Sequence, residues 1–75
     1  MDDKRQIKKV LGVLMHLSEH RGRNLSSNNF EKSKFFQNKS EELKNILTNN
    51  WNDVYALINK FRDFQKSLDY DRKNI

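Results

Sequence analysis

The chain has 75 residues, 35% hydrophobic and 33% charged, and its 15 Lys and Arg against 10 Asp and Glu give a net charge of +5. A chain this short builds one domain and hides only about 60% of its unfolded surface, so a deep substrate cavity is not expected. Cysteine is absent, which excludes a disulfide framework or a thiolate zinc site, and with a mean hydropathy of −1.03 few apolar side chains remain to build the core.

Proline is absent and glycine occurs twice. With no sustained two-residue alternation either, helix is the default throughout. The first helix is predicted over about residues 4–21. Asp3 and Gln6 make a capping-box pattern at its start, and Ile7, Val10, Leu11, Leu14 and Leu17 form its apolar stripe. Its end is expected near Arg21, with Gly22 in the left-handed cap conformation. The charged opening Met1–Arg5 and the apolar run from Val10 to Leu17, interrupted by Gly12 and His16, make a poor signal-peptide core and fall far short of a membrane span. A cytoplasmic protein is therefore expected.

Opposite the stripe lie Arg5, Lys8, Lys9, Gly12, His16 and His20, a cationic strip whose glycine would let a phosphate backbone approach closely. Six basic and three acidic residues fall within positions 1–23, so the positive excess is concentrated here and in the turn that carries Arg21 and Arg23. The plain alternative is the solvated face of any basic surface helix, and Glu19 lies on the same strip. His16-Leu17-Ser18-Glu19-His20 matches the H-x-x-E-H pattern of inverted zinc peptidases. Such a site needs a third protein ligand and a long cleft, which 75 residues hardly supply. The pattern is read as a helix end with cations near its last carbonyls, and neither metal nor cofactor is expected.

Arg23 to Asn29 is polar and rich in Ser and Asn, as a loop should be. Asn28 with Glu31 forms a second capping box, and a helix is expected over about 29–48, either continuous or broken near Asn38, where Asn38 and Glu41 repeat the signal. One face would align Phe36, Leu43, Ile46 and Leu47. Phe30, Phe35 and Phe36 interleave with Lys32, Lys34 and Lys39, a mix that can stack on unpaired bases. Phe36 suits the core, whereas Phe30, Lys34 and Phe35 suit an exposed protein-docking patch.

Asn49-Asn50 breaks the chain, with Asn50 as cap for a last helix over 51–68 whose stripe is Trp51, Val54, Leu57, Ile58, Phe61, Phe64 and Leu68. Beside it run Asn52, Tyr55, Asn59, Arg62 and Lys66; Asn and Arg read base edges, and Tyr and Lys reach phosphates. The tail 69–75 carries no stripe and is expected to fray.

Amphipathic helices on short loops can bury their stripes only against one another. The expected fold is therefore all-α, a small three-helix bundle, or four helices if the middle one splits, with a homodimer sharing one core as the other solution. No nucleophile elbow, phosphate-binding glycine loop or paired catalytic carboxylates occur, so an enzyme is not expected. Two functions remain. The leading one is a small regulator binding nucleic acid, DNA ahead of RNA, through Arg5, Lys8, Lys9, Arg21, Arg23, Tyr55, Asn59, Arg62 and Lys66. The alternative is a stoichiometric inhibitor, adaptor or anti-activator that docks Phe30, Lys34 and Phe35 on a larger protein. A membrane partner is not expected, because the polar faces carry both signs of charge.

Overall fold

The computed structural model describes residues 3–74 and consists, among these, of three α-helices and no strand: α1 (Asp3–Ser26), α2 (Phe30–Asn50) and α3 (Val54–Arg72). They form an elongated bundle of 41 × 20 × 18 Å. The capping box expected at the start of α1 rests on the Asp3 side chain and lies outside what is described. No helix among the described residues is long and apolar enough to cross a membrane.

The core consists of Val10 and Leu17 from α1, Phe36 and Leu43 from α2, and Leu57, Phe61, Phe64 and Leu68 from α3, all buried. Ile7, Val13, Leu14, Phe35, Ile46 and Leu47 pack around it. Burying side chains as fully as Leu43, Leu57 and Val10 contributes about 1.5–3 kcal/mol each, the main force closing the bundle. Leu11, expected in the α1 stripe, is instead exposed.

The α1–α2 pair packs most closely, and the α2 sequence shows why. Ser33, Phe36, Ser40 and Leu43 are all buried and recur at alternating three- and four-residue steps, a heptad-like seam with small residues at every other layer. The two serines let the helix backbones approach, and Ser33 donates its hydroxyl to the Arg21 carbonyl across the interface at 3.2 Å. This seam carries α2 unbroken through Asn38, which decides for the continuous alternative; Asn38 is exposed in mid-helix and costs only a few tenths of a kcal/mol in propensity.

Helix ends differ from expectation for identifiable reasons. Gly22 does not stop α1: its φ is not positive, and the helix runs on to Ser26 before the chain turns. There Asn28 adopts φ 62°, the amide of Asn29 donates to Asn24 O at 2.7 Å, and that of Asn28 donates to Leu25 O at 3.2 Å. This is a Schellman motif with asparagine in the position glycine usually holds. Asn28 thus ends α1, and the cap of α2 is Asn29, whose side chain accepts from the Lys32 amide. Asn50 likewise closes a helix rather than opening one: its side chain donates to Ile46 O at 2.7 Å. Asp53 caps α3 by accepting from the Ala56 amide. Trp51 therefore falls in the turn, 66% exposed, and not on the α3 stripe.

The irregular tail begins only at Lys73, later than expected, because α3 is tied down at its end. Lys39 Nζ donates to Asp71 at 2.7 Å and lies 3.6 Å from Glu42. Arg72 sits over the Phe36 ring at 5.8 Å.

Candidate interaction surfaces

Helix α3 runs parallel to α1, with α2 antiparallel to both. Val13, His16, Leu17 and His20 of α1 line a cleft of about 230 Å³ together with Gln65, Leu68, Asp69 and Arg72 of α3, in the same chain direction. Helical steps of three and four residues extend these rows toward the other end of the bundle, to Lys9 on α1 and Ile58 on α3. One step further toward solvent come Arg5 on α1 and Tyr55 and Arg62 on α3. All of these except the half-buried Ile58 are exposed. The fold thus brings part of the predicted α1 strip and part of the predicted α3 flank onto one face, near the end where both helices begin.

Asn59 and Lys66 are exposed on the same flank of α3 as Tyr55 and Arg62, and Lys8 is exposed on α1. The remaining predicted residues lie elsewhere. Arg21 lines the α1–α2 side with Ser18, Gln37, Ser40, Glu41 and Lys44. It is twelve residues from Lys9, about 18 Å along the helix at ~1.5 Å per residue. Arg23 lies beyond it at the far end, in a shallow dent with Glu19, Gly22 and Ser26. Arg21 and Arg23 therefore cannot contact the same few phosphates as Arg5, Lys9 and Arg62.

The histidines are held by neighbours of other kinds. His16 is exposed, 3.7 Å from Glu19, a surface pair worth little. His20 stacks on Phe36 with ring centroids 5.1 Å apart. Among the described residues no group of three or more His, Asp or Glu is placed to hold a metal ion.

Phe30 is 63% exposed and Lys34 is exposed one turn on, but Phe35 is half-buried, edge-on against Phe36 at 5.2 Å and beneath Lys39 Nζ at 5.7 Å. Phe30, Lys34 and Phe35 do not make one flat patch. A more continuous apolar surface, not anticipated from the sequence, is the outer face of α1, where Leu11, Met15 and Leu25 are 47%, 65% and 52% exposed. Their steps, with Ser18 and Gly22 between, return to one side of the helix. The signal was legible as a second, weaker stripe beside the buried one.

Among the described residues, the one titratable group clearly displaced is Lys39. Burial opposes its charge, but the hydrogen bond with Asp71 and the charges of Glu42 and Asp71 outweigh it and hold the ammonium above its ordinary value. It belongs to the fold and not to a reactive centre.

No family model, curated protein or solved structure matches the chain.

Proposed function

We propose that this protein is a small non-enzymatic regulator that binds nucleic acid along the face shared by α1 and α3. What supports the reading is the parallel direction of these helices, from which helical periodicity puts the exposed Arg5, Lys9, Tyr55 and Arg62 toward the end where both begin. Two helix N-termini open toward that end, adding partial positive charge. A net charge of +5 favours a polyanionic partner at long range. Phosphates would be held by Lys9 and Arg62, with Arg5 and Tyr55 beside them.

Fluorescence anisotropy of labelled DNA and RNA, as duplex and as single strand, tests this. Affinity should fall with salt by roughly one power of salt concentration per phosphate contact, and Lys9→Glu/Arg62→Glu should flatten that dependence and lose most of the binding. Arg23→Glu, at the far end, should have a much smaller effect. Absence of binding at low salt would end the reading.

The exposed row Leu11, Met15 and Leu25 favours a second reading, a stoichiometric protein-binding factor that lays this face in a partner's apolar groove. Its affinity would respond to Met15→Asp and only mildly to salt.

A further inference from the structure

The two large aromatics at the α2–α3 corner take no part in the core. Trp51 stands in the turn, 66% exposed, and Tyr55, four residues on and one residue inside α3, is 67% exposed. A tryptophan so placed leaves most of its apolar surface in water at an energetic cost the fold does not require, since α2 closes through Asn50 and α3 opens through Asp53 without it. Both rings sit at the end of the bundle where α1 begins, with Lys4, Arg5 and Lys8 exposed in its first turns. A polar rim of Asn49 and Asn52 is exposed around them.

Flat aromatic faces beside cations are the pattern that recognises unpaired nucleobases: the ring stacks on the base while the cations follow the backbone. A duplex keeps its bases stacked on one another and offers such rings only its terminal pair. We propose that Trp51 and Tyr55 form a stacking platform for unpaired bases, which makes single-stranded nucleic acid the preferred ligand class. This deepens the nucleic-acid reading above and rests on it. The basic face of α1 and α3 supplies the attraction for the strand, and the corner supplies the discrimination against duplex.

Trp51 is the only tryptophan in the sequence, so tryptophan emission, excited selectively over tyrosine, reports this site alone. Oligothymidylate and oligouridylate should quench its emission on titration at low salt, and a hairpin-closed duplex should not. By anisotropy, Trp51→Ala should weaken single-strand binding about tenfold or more and leave duplex binding unchanged, whereas Trp51→Phe should retain most of the affinity. Both variants change an exposed turn residue, so the bundle is retained. Strand binding with Trp51 emission unmoved, and with Trp51→Ala as tight as the parent protein, would overturn the platform and leave the basic face standing. Failure of every nucleic acid to bind would overturn both. A concentration-dependent blue shift of Trp51 without ligand would show that a second copy covers the corner, and would likewise overturn the proposal.

Discussion

Lys39 shows how a polar residue can organise a small bundle. Its side chain is only 12% exposed, and its ammonium is bonded to Asp71, near Glu42 and over the Phe35 ring. Asp71 and Glu42 are themselves partly solvated, which limits what the pair adds. Asp71→Asn should therefore destabilise the protein by about 1 kcal/mol at neutral pH and loosen the last turn of α3 first. The pH dependence has a definite sign. A lysine whose folded value is raised adds stability that is fully present below its ordinary 10.5 and is lost as pH rises through the folded value. In urea melts, the difference between parent and Asp71→Asn should stay constant from neutral pH upward and shrink only above 10.5. Shrinkage well below that pH would show that Lys39 is not the group responsible.

At the level of elements, the α1–α2 interface holds two buried serines in contrasting states. Ser33 donates to Arg21 O, whereas the Ser40 hydroxyl has no hydrogen-bond partner among the described residues. Removing a bonded hydroxyl loses the bond, and removing an unbonded buried one relieves its desolvation. Ser33→Ala should cost about 0.5–1.5 kcal/mol, and Ser40→Ala should be neutral or stabilising by about 1 kcal/mol. Thermal melts of the two variants would separate them, and equal destabilisation would contradict the account. These serines also mark where the sequence was hard to read. The helical class and most of the buried apolar residues followed from periodicity, because burial on one stripe leaves a three- and four-residue trace, whereas the choice between three and four helices did not. Ser33 and Ser40 did not, since a small polar residue in a seam looks like one on a solvated face. The ends shifted because Asn24 to Asn29 and Asn49 to Asp53 offer several competent caps in a row. Tertiary contacts chose Asn28 to close α1 and Asp53 to open α3. That choice moved Trp51 from the predicted stripe to the surface.

For the molecule as a whole, the decisive feature is chain direction. Every candidate cation was visible in the sequence, but their grouping was not, because faces on two helices coincide only once the order and direction of packing are known. The parallel α1 and α3 separate Arg5, Lys9, Tyr55 and Arg62 from Arg21 and Arg23, and they leave the α2 side lined by residues of both charges such as Glu42, Lys60 and Asp63. The claim that one face carries the binding is tested most directly by following backbone amide shifts in ¹⁵N-labelled protein as an oligonucleotide is added at low salt. The account predicts that perturbations concentrate on Arg5, Lys9, Tyr55 and Arg62 and extend to Trp51, with Glu42, Lys60 and Asp63 unmoved. Perturbations centred on the α2 side or on Arg21 and Arg23, or none at all, would contradict it.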